Sequence, residues 1–138
     1  MIYEGQVTYV TIDENGCDKT IKENYVVEEA ASFTDAEDQL LDAMQGFTDA
    51  DVVALKRSKV REIANKRESQ DDLMWEATVC DIFTTDEGVE KEIKYKILLF
   101  SKTFDTAKAF MAEFLEQGYN MSLVGLKKTN FLDVLANE

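Results

Sequence analysis

The chain has 138 residues, with 28 Asp and Glu against 15 Lys and Arg, a formal net charge of -13, no His, no Pro and 2 Cys. Without imidazole, serine triads and zinc sites built on His are excluded, and two Cys cannot form a four-cysteine zinc site. Hydrophobic residues make up 45%, enough for a packed core and too many for a disordered acidic chain.

Tyr3 to Ile12 alternates and is rich in Val, Thr and Tyr, which predicts a strand. Asp13-Glu14-Asn15-Gly16 is a turn, and Lys19 to Glu28 returns as a second strand. Ser32 or Thr34 can cap a helix whose positive end favours Asp35, Glu37 and Asp38. Its apolar positions Ala36, Leu40, Leu41 and Met44 share one face, and Gly46 ends it. Asp51 to Ile63 reads as one further strand. Ala64 to Asp72, ANKRESQDD, is polar throughout and reads as a linker. Beyond it come strands near Met74–Thr84 and Lys91–Phe100, joined at Asp86-Glu87-Gly88. A helix follows from about Asp105 to Gln117, with Gly118 behind it, and then a last strand near Met121–Asp133.

The second series repeats the first at an offset of about 72 residues. Glu4 lies over Glu76, Val7 over Val79, Gly16 over Gly88 and Ile21 over Ile93. After a one-residue slip, Phe33 lies over Phe104, Ala36 over Ala107, Leu40 over Met111 and Lys56 over Lys127. One such copy, about 60 residues, buries only a marginal core, and two packed together solve this. The expectation is an α+β fold: a tandem duplication of a β-β-α-β unit with pseudo-twofold symmetry, two helices and about six mostly antiparallel strands. It would form a single domain of residues 1–63, linker 64–72 and residues 73–138. The second helix, with Phe104, Ala107, Phe110, Met111, Phe114 and Leu115, should be the more deeply buried.

The opening aromatic-Glu-x-x-Val, the Gly-containing hairpin, the SFTDAE helix start and the LKRSKVREI strand resemble an uncharacterised family of short proteins. That family carries only a domain-of-unknown-function label and occurs in gut anaerobes of the Bacteroides group, their phages and mobile elements. The resemblance implies a compact α+β fold and a phage or mobile-element origin. Its motifs are structural, so it implies no activity and no functional residues.

Charge is uneven. Residues 1–55 hold 13 acids and 2 bases, residues 56–67 hold 6 bases and 1 acid, and residues 68–138 hold 14 acids and 7 bases. One reading makes the acidic surface, with Glu28, Glu29, Asp35, Glu37, Asp38 and Asp42, a face for a basic protein partner or a mimic of nucleic acid. The alternative makes Lys56, Arg57, Lys59, Arg61, Lys127 and Lys128 a patch for single-stranded nucleic acid, with Tyr9, Tyr25 or Trp75 stacking on bases. The net charge disfavours the second, because an acidic protein is repelled by a polyanion. Solubility alone would explain the acids, and protection of an edge strand would explain the bases. Tyr3 and Trp75 are either core aromatics or interface anchors.

No phosphate loop, dinucleotide fingerprint or nucleophile elbow occurs. The acid pairs Asp13/Glu14 and Asp86/Glu87 sit in turns, and Asp35, Glu37 and Asp38 sit at a helix start, where local chemistry already accounts for them. Cys17 should be exposed and Cys80 half-buried, with no His to activate either. No cofactor or metal is implied. The expected protein is a non-enzymatic interaction protein that acts as a modulator, nucleic-acid mimic or virion-associated factor, and the resemblance implies that it is phage- or mobile-element-encoded. It should be cytoplasmic, in the bacterial host cytosol if phage-encoded: two Cys make a poor disulfide framework, no apolar run nears the ~20 residues that span a bilayer, and the N-terminus is unlike a signal peptide. Duplicated sheets also admit a homodimer.

Overall fold

The computed structural model describes residues 1–116 and 121–136. In chain order these form β1 (Tyr3–Ile12), β2 (Asp18–Val27), α1 (Phe33–Ala43), β3 (Thr48–Arg57), β4 (Val60–Ile63), β5 (Leu73–Thr84), β6 (Glu90–Ser101), α2 (Phe104–Leu115), β7 (Met121–Lys128) and β8 (Phe131–Leu135). The fold is α+β, with two helices and two four-stranded, mostly antiparallel sheets. The expected end of α2 at Gln117 and Gly118 lies outside the described residues.

The hairpins close as their turn residues require. Asp13 accepts the N–H groups of Asn15 and Cys17, both at 2.9 Å, and Gly16 and Gly88 adopt positive φ of 77° and 81°. Ser32, not Thr34, caps α1, accepting from the Asp35 N–H at 3.1 Å. Thr103 caps α2 in a reciprocal box with Thr106.

The chain divides into two compact units, Met1–Ser58 with Asn130–Glu138, and Lys59–Thr129. The first has strand order β3-β1-β2-β8 and the second β7-β5-β6-β4. The β-β-α-β series therefore occurs twice with one connectivity. The fourth strand of each sheet is contributed by the other series. β4 follows β3 in the chain but pairs in parallel with β6, and β8 follows β7 but pairs in parallel with β2.

The stretch from Asp51 to Ile63, expected as one strand, is thus two, and the described residues form eight strands where six were expected. The break has a simple cause. The Ser58 N–H makes a last bond to the Ile2 carbonyl at 2.8 Å, and the Thr129 N–H makes its counterpart to the Met74 carbonyl at 3.0 Å. Beyond these bonds the backbone leaves one sheet and joins the other.

In the first unit α1 covers the face that carries Tyr3, Val7, Tyr25 and Val27, packing through Ala36, Leu40 and Met44. In the second, α2 covers Trp75, Val79, Ile97 and Leu99 through Ala107, Met111 and Leu115. Full burial of such side chains stabilises by about 2 kcal/mol each. Leu41, expected on the inner face of α1, is 38% exposed, because the i, i+4 row of Ala36, Leu40 and Met44 occupies the contact.

Residues 64–72 are bound to the second unit. The Asn65 side chain accepts from the Phe100 N–H at 2.7 Å and donates to its carbonyl at 2.9 Å, standing in for a strand residue beside β6. Asp72 is buried and accepts the N–H groups of Glu68 and Ser69.

Candidate functional site

The sequence of α1, FTDAEDQLLDA, holds Asp35, Glu37, Asp38 and Asp42 and no base. Asp35, Asp38 and Asp42 stand three and four residues apart, which places them along one side of the helix. Glu37, Asp38 and Asp42 are exposed, as are Glu28 and Glu29 just after β2. Asp35 is half-buried and accepts the Ala31 N–H at 2.9 Å, so it is partly committed to the helix start. Glu29 accepts from the Met1 amino group at 2.7 Å.

Asp42 lies in the last turn, at the negative end of the helix dipole, with no basic residue to offset it. The corresponding helix α2, FDTAKAFMAEFL, builds the same packing with Asp105, Lys108 and Glu113. Lys108 stands where Glu37 does and Ala109 where Asp38 does. Glu113 stands where Asp42 does, so the fold does not need Glu37 and Asp38 but keeps an acid at the third position.

The six basic residues are divided between the two units. Lys56 and Arg57 end β3 in the first unit, whereas Lys59 and Arg61 belong to the second. Within the second sheet, Arg61 on β4 and Lys127 and Lys128 on β7 occupy opposite edges. Several are also engaged. The Lys56 ammonium lies 3.5 Å from the Glu4 carboxylate. Lys127 lies 3.6 Å from Glu76, and Lys96 3.2 Å from the same Glu76 oxygen. The Arg61 guanidinium stacks 3.9 Å from the centre of the Tyr95 ring. Within the second sheet, strand order thus sets Arg61 apart from Lys127 and Lys128.

Tyr3 and Trp75, weighed as interface anchors, are core residues. Both are buried, and the Trp75 indole N–H donates to the Ser101 carbonyl at 2.9 Å. Each meets the first residue of its helix edge-on, Tyr3 with Phe33 at 5.0 Å and Trp75 with Phe104 at 6.0 Å.

Tyr9 and Tyr25, weighed as stacking aromatics, instead both donate their hydroxyls to the carboxylate of Glu23. Burial first, then the bond to Glu23, pushes the Tyr25 hydroxyl far above the ordinary tyrosine range. Tyr9 is raised too, chiefly by its hydrogen bond to Glu23. This triad was missed in the sequence. Its only signal was the hairpin register, which sets Tyr9 opposite Ile21 and Gly5 opposite Tyr25, so that all three side chains share the α1 face of the sheet.

Cys17 is exposed, as expected, while Cys80 is buried, and loss of water raises its thiol pKa first, with Glu92 adding to the effect. Among the described residues no three His, Cys, Asp or Glu side chains are placed to hold a metal ion. No helix among them is long and apolar enough to cross a membrane.

A repeated helix-on-sheet series, a hydroxyl N-cap on each helix and paired strand exchanges run from β1 to β8. The chain belongs to the family described as Domain of unknown function (DUF4494), which it matches over residues 1–137. No curated protein and no solved structure matches it.

Proposed function

We propose that this family member is a non-enzymatic interaction protein that binds a basic protein partner through the acidic face of α1. The observation that supports this reading is the contrast between the two helices. α1 and α2 do the same packing work, yet only α1 carries four acids and no base. Asp42 at the helix end costs stability on its own helix, typically about 0.3–1 kcal/mol for a charge on the wrong end of the dipole. α2 bears the same kind of cost at Glu113, so the distinguishing acids are Glu37 and Asp38, and a charge concentration not required by packing fits recognition of an oppositely charged surface, where it speeds encounter and selects partners. The proposal extends to an origin in bacteria of the Bacteroides group or their phages, which the resemblance of sequence implies.

The test gives α1 the residues that α2 uses. Wild-type protein and the Glu37→Lys/Asp38→Ala variant are each used as bait for host-cell protein at low ionic strength. A defined partner held by the wild type, released by salt and lost with the variant is the expected result. Equal recovery by both baits would remove α1 as the binding face.

A further inference from the structure

The two units handle one carboxylate position differently, buried at Glu76 and half-buried at Glu4. In the second unit Glu76 on β5 is met by two ammonium groups, Lys127 from β7 and Lys96 from β6. In the first unit Glu4 on β1 holds the same place, and Lys56 from β3 repeats the contact of Lys127 at nearly the same distance. The residue that corresponds to Lys96 is Asn24. The registers prove the correspondence: Thr78 pairs with Lys96 as Gln6 pairs with Asn24, and Val60 pairs with Lys96 as Phe131 pairs with Asn24. Asparagine is too short to reach Glu4, and its side-chain oxygen accepts from Gln6 at 3.4 Å instead.

Beside Glu4 and Asn24, the first unit has an open cavity of about 360 Å³. Its lining includes Glu4, Gln6, Asn24, Lys56, Asn130 and Phe131. That size suits a small-molecule or side-chain ligand, for which sites run from ~300 Å³ upward. Gly5 faces Leu40 of α1, so Glu4 and Gln6, its neighbours on the strand, project from the other face of the sheet. The cavity is therefore separate from the acidic face of α1 and does not rest on that proposal.

We propose that this cavity is a binding site for an alkylammonium group, the chemistry of a lysine side chain or a free amine. The second unit supplies the template, since its own Lys96 ammonium occupies the equivalent position against an equivalent carboxylate. Glu4 provides the charge-assisted acceptor, and the amide oxygens of Gln6 and Asn24 provide neutral ones. Lys56 does not bar a second cation, because Glu76 accommodates both Lys96 and Lys127.

The experiment is titration of isotope-labelled full-length protein with n-butylammonium, Nα-acetyl-lysine methylamide and, as the neutral control, 1-butanol, followed by NMR at Glu4, Gln6 and Asn24. Saturable shifts with the two cations and none with butanol are expected. Asn24→Lys, which installs the second unit's own arrangement, should reduce the cation affinity at least tenfold, and Glu4→Gln should do the same by removing the charge. Tighter binding of the lysine amide would assign the site to a protein side chain, and equal binding to a free amine. The proposal is overturned by the absence of saturable shifts, by equal shifts with butanol, or by undiminished binding in either variant.

Discussion

Leu40 of α1 fills the space that a Cβ on Gly5 of β1 would occupy. The second unit solves the same contact the other way round, with Ala77 on the strand and Met111 on the helix, and all four residues are buried. Leucine branches near its end and cannot yield in a filled core, whereas unbranched methionine can. Gly5→Ala should therefore destabilise the first unit by roughly 1–3 kcal/mol, the usual cost of overpacking. Leu40→Met placed in the same chain should restore most of the loss. A denaturant double-mutant cycle measures the coupling, and additive effects would show that the contact does not limit packing.

Glu76 should matter more to stability than Glu4. Its side chain is only 11% exposed and it neutralises two lysines, against one for Glu4. Replacing Glu76 by Ala should cost about 1–2 kcal/mol, and Glu4 by Ala about 0.5–1 kcal/mol, both limited because the partner lysines stay largely in water. Chemical denaturation of the two variants tests the order, and an equal or inverted ranking would contradict it.

The Tyr9–Glu23–Tyr25 group predicts a loss of stability at alkaline pH. Both tyrosines are raised above their ordinary value of 10.0 in the folded protein. A raised value means that the folded state holds the proton more tightly than the unfolded state. The stabilisation is complete below pH 10 and is lost as pH rises beyond it. Tyr25→Phe should flatten the alkaline limb of a stability-versus-pH curve, and Glu23→Gln should bring the ultraviolet titration of both hydroxyls toward ordinary tyrosine. An unchanged titration in Glu23→Gln would show that the carboxylate is not the cause.

Asp42→Lys should raise stability while weakening partner binding. The substitution removes an acid from the last turn of α1 and supplies the missing base there. The expected gain is about 0.3–1 kcal/mol, largest at low salt. Thermal unfolding at two ionic strengths checks the first half, and the bait comparison described above checks the second. A lower melting temperature would mean that Asp42 has a local structural role.

Much of the framework could be read from residue patterns. Alternation in Tyr3–Ile12 marked β1, Asn15-Gly16 marked the hairpin, and the row Ala36, Leu40 marked the inner face of α1. The match of Glu4 to Glu76 and of Lys56 to Lys127 was visible as sequence, but that these form ion pairs across neighbouring strands was not. That depends on register, which sets Glu4 opposite Lys56 and Glu76 opposite Lys127. The exchange of β4 and β8 left no local mark either. Ser58 and Lys59 carry no Gly or Pro to announce a break, and the residues on both sides suit a strand.

The amino-acid sequence by itself determined the two similar series of elements, their element types, their turns and the concentration of acid in the first helix. These follow from short-range rules: side chains alternate on strands, recur every three to four residues on helices, and Gly or Asx residues permit the turns. Tertiary structure alone decided which sheet receives each short strand, which lysines find a carboxylate, that the Tyr3 and Trp75 rings are enclosed, and that a cavity lies beside Asn24, the counterpart of Lys96. Each of these rests on contacts between residues far apart in the chain, whose free energy is realised only when backbone pairing brings the partners together.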